Sequence, residues 1–280
     1  MQDWLPVVHA ALDEDLAQGD VTSDNIPSLQ GLPLSADLVV RQDCVVSGCR
    51  VADAVLAAVD DSISADWRVT DGDVCPAGTV LATLQGSAVG LLKAERTMLN
   101  FMQHLSGVAT VTRRFADTLS GTDTRITHTR KTTPGLRLLE QQAVTHGGGA
   151  PHRFNLGSAV MIKDNHWMGL AGKKADAIVA TVAHMRTHIP HTMRIEVEID
   201  RLDQLPAVLK AGADVVMLDN MTPSQVREAL DRIQGQCLVE VSGNITLENI
   251  AGYALPGVTV ISTSKLTLGA PAVDIGLDFR

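Results

Sequence analysis

Arg130, Lys131, Arg137, His152, Arg153, Lys163 and His166 all fall between Thr129 and His166, together with the run Gly147-Gly148-Gly149. The chain around them is acidic, with 23 Lys and Arg against 32 Asp and Glu and a net charge of −9. A block of cations in such a chain suits a ligand carrying several negative charges, because a local pocket overrides the sign of the whole molecule. The glycine run adds flexible backbone N–H groups of the kind that cradle anions. Later segments carry the acidic counterpart, Glu196, Glu198 and Asp219. Glu196 and Glu198 have the same parity in an alternating apolar run, so both point to one side of a strand.

These residues need elements that bring them together. Strand-like runs occur at 124–129, 159–163, 193–199, 213–218, 237–241 and 258–262, with helix-like segments at 135–145, 174–187, 202–211, 223–234 and 246–254. Thr222-Pro223 opens one helix as cap and first residue, and Gly212 closes another. The alternation predicts parallel βα units, with a closed barrel favoured over an open sheet. No glycine-rich dinucleotide fingerprint follows the first strand, which argues against a Rossmann arrangement. Polar groups gather at the strand ends: Arg130-Lys131, Lys163 to His166, Glu196 and Glu198, Asp219-Asn220, Ser242-Gly243-Asn244 and Ser262-Thr263-Ser264. In a parallel barrel that end holds the active site. Any one of them has a structural explanation, Asp219 as a helix cap for example; six in succession do not.

A site that is cationic at one end and acidic at the other matches a ligand with an anionic periphery and a positive or hydroxyl-bearing middle. A phosphoribosyl donor has this form. Its phosphates travel with magnesium, and its anomeric carbon gains positive character as pyrophosphate leaves. On residue types and spacing alone it is one option among several phosphate chemistries.

The N-terminal part reads as an amphipathic helix from Trp4 to Leu16, strands at 35–42, 45–48, 64–69 and 79–86, and a helix at 51–60. A long helical pattern follows from 90 to 119, which Gly107 is expected to bend or break. Arg96 follows Glu95 in it and reads by itself as half of a surface ion pair. His104 is expected to pack or cap, and His184, His188 and His191 to mark a solvated helix end. Aromatics make up only 3% of the chain, so a mostly aliphatic core is expected, and this argues against a stacking platform for single-stranded nucleic acid. The acidic balance argues against a duplex-binding surface. The four cysteines, Cys44, Cys49, Cys75 and Cys237, form no CxxC pair, which argues against zinc. The opening MQDWLPVVHAALDEDL lacks a secretory pattern, so reduced thiols in the cytoplasm are expected. No apolar run approaches membrane-spanning length.

Nine segments sharpen this reading: EDLAQGDVTS (14–23), ERTMLNFMQHLSGVAT (95–110), TRKTTPGLR (129–137), GGGAPHR (147–153), MIKDNH (161–166), EVEID (196–200), MLDNM (217–221), SGNITLENI (242–250) and DIGLDF (274–279). In this order, over nearly the whole chain, they resemble the quinolinate phosphoribosyltransferase family, also called nicotinate-nucleotide pyrophosphorylases. The resemblance implies an α/β fold: an N-terminal α/β sandwich domain over residues 1–110, an atypical (β/α) barrel with fewer than eight strands over 111–268, and a return of 269–280 to the first domain. It implies homodimers in which Arg96 reaches the neighbouring subunit's site. It places Arg96, Arg130, His152, Arg153 and Lys163 on the pyridine dicarboxylate, and Lys131 near the phosphates of phosphoribosyl pyrophosphate. Glu198 and Asp219 come at the ribose and, indirectly, the magnesium. Ser242 and Gly243 form the 5′-phosphate loop, bordered by Ser264. Lys131, Lys163, Glu198 and Asp219 are then the catalytic set, and the implied partners are small molecules, neither nucleic acid nor membrane.

The chain departs from the family pattern at Asn244, where a second glycine is common. Ser264, Lys265 and Leu268 replace a usual Gly, Ala and His, Gln141 replaces a lysine, and Pro151 an asparagine. Two other readings compete. A relative with altered substrate is disfavoured by Lys163 within IKDNH and by Arg153. A non-catalytic sensor of pyridine or phosphoribosyl ligands is disfavoured by the retention of both Glu198 and Asp219.

Overall fold

The computed structural model describes residues 4–169 and 175–280. In chain order the first elements are α1 (Leu5–Leu16), β1 (Pro33–Val40), β2 (Cys44–Val45), α2 (Cys49–Val59), β3 (Ser64–Trp67), β4 (Val74–Cys75), β5 (Val80–Ser87) and the long α3 (Ala88–Thr118). Then come β6 (Arg125–Thr127), α4 (Arg137–His146), β7 (Val160–Ile162), α5 (Asp164–Gly169), α6 (Ala175–Arg186), β8 (Ile195–Ile199), α7 (Leu205–Ala211), β9 (Val215–Asp219), α8 (Pro223–Ile233), β10 (Leu238–Ser242), β11 (Val260–Ser262) and β12 (Ile275–Phe279). They form two compact units. One holds residues up to Arg113, Thr132–Gly149 and Leu266–Arg280; the other holds Arg114–Lys131 and Ala150–Lys265.

The first unit is built on an antiparallel sheet in the order β12-β1-β5-β3. The last strand registers Ala36 with Phe279 and Val40 with Ile275. Within this unit α3 buries Leu91, Ala94, Met98, Met102 and Leu105, side chains three or four residues apart on one helical face. Each large one contributes about 1.5–3 kcal/mol by leaving water. Gly107 does not interrupt α3, contrary to the expectation from sequence. A Cβ there would lie 2.1 Å from the Pro271 carbonyl oxygen, so glycine is needed for close approach rather than for a bend. The same holds for the glycine run. A Cβ at Gly147 would meet the Ala109 carbonyl at 2.3 Å, and one at Gly149 the Val144 side chain at 2.6 Å. These glycines seat the end of α4 against α3; they are not an anion cradle. The packing draws residues 132–149 into the first unit, although sequence alone assigns them to the barrel. His104 bonds the fully buried Glu140 of α4 at 2.9 Å.

The second unit is an all-parallel sheet of six strands among the described residues, in the order β6-β11-β10-β9-β8-β7. An isolated parallel bridge from Thr127 to Ala150 adds one more segment beside β6. Strand β8 is buried along its whole length, as expected of a parallel sheet covered by helices. Helix α8 starts at a capping box made by Thr222 and Gln225, and Gly212 ends α7 in the left-handed conformation at φ 71°, so both boundary signals in the sequence act as read. The 246–254 helix is reduced to a 3-10 turn at Ile250–Tyr253. No helix among the described residues is long and apolar enough to cross a membrane.

Candidate active site

Strand β8 carries Glu196 and Glu198 on its inward side, 7% and 8% exposed. Lys163, just past the end of β7, donates to Glu198 Oε2 at 2.5 Å. Its backbone N–H is held by His166 Nδ1 at 2.8 Å, and Trp167 Nε1 ties the next turn to the Glu198 carbonyl at 3.2 Å. On the neighbouring strand Asp219 ends β9 and registers with Ser242 at the end of β10. Burial pushes the Asp219 carboxyl up from its ordinary value, and the nearby charge of Glu198 adds to this, while Lys163 and Lys131 pull it back. Two carboxylates and two ammonium groups therefore share one field at the C-terminal end of the sheet. Gly243, with φ 88°, and Asn244, with φ 54°, turn the chain sharply after Ser242. Ser264 opens a 3-10 turn after β11.

The arginines come from the other side. Arg153 donates to the Ala159 carbonyl at 3.3 Å and contacts Met161 Sδ at 3.2 Å. Burial pushes its guanidinium down, and the Arg130 charge does so further. Arg130 Nε and Arg153 Nε are both buried with no acceptor. Buried donors without partners are costly, and two of them in neighbouring guanidinium groups are chemically suited to an anion. His152 is tightly held: its Nδ1 accepts the Arg153 backbone N–H at 2.8 Å, so its proton lies on Nε2, which faces Glu240 Oε2 at 3.3 Å. Its own backbone N–H donates to His128 Nε2 at 3.3 Å.

Deeper in the sheet Glu196 faces Glu240. Glu196 Oε1 and Glu240 Oε1 are buried without donors, and the two side chains share a hydrogen bond that raises the Glu196 pKa. Burial first and the Glu240 charge second push Glu196 up to about 9, so one proton is held between two carboxyls at neutral pH. A cavity of about 240 Å3 opens beside them at the N-terminal ends of the strands, lined also by Arg125, Arg153 and Arg194.

Of the residues singled out from sequence, Arg130, Lys131, His152, Arg153, Lys163, Glu198, Asp219, Ser242, Gly243 and Ser264 lie in the second unit, whereas Arg96 is exposed on α3 in the first. No ion pair joins Arg96 to Glu95 among the described residues, so the surface-pair reading fails. Arg137, in the first unit, bonds Thr132 Oγ1 at 3.1 Å. Glu240 and His128 were not singled out. For Glu240 the signal was present: it shares parity with Ser242 in LVEVS and so faces inward with it.

A model of the quinolinate phosphoribosyl transferase C-terminal domain matches residues 108–278, and one of the N-terminal domain matches residues 20–106. The chain belongs to the quinolinate phosphoribosyl transferase family. Within that family it is 41% identical over 278 residues to the nicotinate-nucleotide pyrophosphorylase [carboxylating] of Mycobacterium leprae, covering 97% of this chain and 95% of that one. It is 39% identical over 283 residues to a probable enzyme of the same name from Methanothermobacter thermautotrophicus, covering 99% of both. The solved nicotinate-nucleotide pyrophosphorylase of Ehrlichia chaffeensis superposes with a TM-score of 0.93 at 35% identity, over 100% of this chain and 99% of that one. As a quinolinate phosphoribosyl transferase family member the chain is a glycosyltransferase of pyridine nucleotide biosynthesis.

Proposed function

We propose that the barrel mouth joins the ring nitrogen of quinolinate to the anomeric carbon of phosphoribosyl pyrophosphate, releasing pyrophosphate and then carbon dioxide, to give nicotinate mononucleotide for de novo NAD synthesis. The observation that carries this reading is the pair of buried, unpartnered guanidinium donors at Arg130 and Arg153, next to the Lys163–Glu198 ion pair. A planar dicarboxylate supplies the acceptors those donors lack, and arginine forks match carboxylates. Lys163 and His152 complete the acceptor side, and Arg96 of a second copy of the chain is the further cation.

On the donor side, Ser242 and Gly243 take the 5′-phosphate through backbone N–H groups, with Ser264 at the border, and Lys131 meets the pyrophosphate. Glu198 and Asp219 face the ribose and stabilise the positive charge that develops at its anomeric carbon. Their carboxylate oxygens also fit magnesium, a hard cation that prefers carboxylate and phosphate ligands; when bound with the donor it would neutralise pyrophosphate charge. After the new C–N bond forms, the adjacent positive ring nitrogen stabilises the electron pair left on C2 when the 2-carboxylate departs as carbon dioxide, and a proton from water takes its place on C2, so the protein needs no electron sink of its own. The working unit is a homodimer, and the four cysteines, all free thiols, suit a reducing compartment such as the cytoplasm.

The test is an assay with quinolinate, phosphoribosyl pyrophosphate and magnesium that follows nicotinate mononucleotide and carbon dioxide, with nicotinate as the parallel acceptor. Turnover of quinolinate and not of nicotinate is expected. Absence of quinolinate turnover by folded protein would overturn the reading. Arg96→Ala mixed with an Arg130→Ala chain is expected to regain part of the activity that each lacks alone, by pairing one intact site across the dimer.

A further inference from the structure

We infer that Asn220, locked to Asn244, is a positioning residue that ties the acidic centre of the barrel mouth to its phosphate loop, an inference that rests on the donor-side roles proposed above. Asn220 follows β9 directly, and its backbone N–H and both ends of its side-chain amide are engaged. Its Nδ2 donates to Asp219 Oδ2 at 2.7 Å. Its Oδ1 accepts from Asn244 Nδ2 at 2.9 Å. Its backbone N–H donates to the Ser242 carbonyl at 3.0 Å. One side chain thus touches the carboxylate on one strand end and the loop that follows the next.

The orientation of the amide is fixed by its partners. Turned over, it would set its oxygen against the Asp219 carboxylate and its N–H2 against the N–H2 of Asn244, and both bonds would become repulsive. The backbone is committed as well. Asn220 has φ 56° and Asn244 φ 54°, a left-handed conformation that costs a side-chain-bearing residue energy and persists where surroundings enforce it. Between them Gly243 has φ 88°, and a Cβ there would sit 2.3 Å from Asn220 Oδ1. Asn249 Nδ2 then caps the Asn244 carbonyl at 2.9 Å. The loop is held shut around the Asn220 amide.

The effect is a mechanical link. Asp219 keeps one oxygen for the ligand because the other is pinned, and the Ser242-Gly243 backbone presents its N–H groups in the geometry that Asn220 sets. Binding of a phosphate at the loop and alignment of Asp219 at the ribose are coupled through one amide.

Asn220→Gly and Asn244→Gly test the link, since glycine accepts the left-handed backbone of both positions and the fold is preserved. In steady state, Asn220→Gly is expected to raise the donor KM about tenfold and lower kcat about tenfold, with the quinolinate KM within about twofold of wild type. Asn244→Gly, which breaks only the neutral bond, is expected to raise the donor KM about threefold with a smaller fall in kcat. Asn220→Asp keeps the acceptor for Asn244 and replaces the donor to Asp219 by a like charge; it should lower kcat more than Asn220→Gly while disturbing donor KM less. Equal losses in both substrates' KM would show a general loosening and overturn the inference, as would kinetics unchanged in all three variants. If wild-type protein turns over neither substrate, the proposed reaction fails by itself. The link is then read by calorimetry with ribose 5-phosphate, for which the same ranking of Asn220→Gly below Asn244→Gly is expected and equal affinities would overturn it.

Discussion

Two glutamates sit two residues apart on β8, buried to the same degree, and meet opposite fates. Glu198 has an ammonium group 2.5 Å away in Lys163. Glu196 has a second carboxyl, Glu240, and keeps an oxygen with no donor. The difference is set by what the neighbouring strands place opposite: β7 leads into Lys163 at the mouth, whereas β10 offers Glu240 lower down. Burial alone therefore does not say whether an acid is ionised; the charge across the sheet decides it. At the mouth an ammonium group stands against the acid, and one layer below the protein stores a proton.

That contrast can be broken or sharpened by substitution. The largest effect is expected for Glu198→Gln, which should lower kcat/KM by about 10²–10³-fold, the range for removing one preorganised charge from a transition state, with little change in Tm because the freed Lys163 ammonium is 41% exposed. A loss smaller than tenfold would remove Glu198 from the chemistry. Glu196→Gln should act on stability instead. Its folded pKa of about 9 lies above the unfolded value, so the folded state binds the extra proton and stability falls as pH rises between the two values. The amide has no charge to bury, so its Tm should exceed that of wild type at pH 9 and the gap should close towards pH 5, by about 2–4 °C for each kcal/mol. A gap independent of pH would refute the shared proton. The smallest effect is expected for Glu240→Gln. Its amide oxygen still accepts from His152 Nε2, while the like charge disappears, so the fall of Tm with pH should shrink and end at lower pH. Thermal melts across pH 5–9 measure both variants.

Much of this arrangement was legible beforehand, because it depends on local rules. The parity of Glu196 and Glu198, the Thr222 cap, the Gly212 stop and the polar strand ends all follow from spacing along one element. What was not legible depends on partners far away in the chain. Gly107 looks like a helix breaker until Pro271 occupies the space beside it. Gly147 and Gly149 look like an anion loop until Ala109 and Val144 fill their flanks. The opposition of Glu196 and Glu240 needs the register of β8, β9 and β10 together, which no single run of residues encodes. The 246–254 segment carries helical spacing, yet Thr263 Oγ1 bonding the Ile245 carbonyl at 3.2 Å and Asn249 capping Asn244 commit its entry to a turn.

The pairing of β12 with β1 has a consequence for biosynthesis. During translation β1, β3 and β5 emerge early and can form three strands of their sheet, but the order β12-β1-β5-β3 leaves β1 as an open edge until residue 279 has been made. Throughout synthesis of the whole second unit that apolar edge offers its unpaired N–H and carbonyl groups to any passing strand. A chain cut before Ile275 would keep the edge open permanently, so translational pausing or trimming near this point should appear first as strand-mediated aggregation rather than as loss of the barrel.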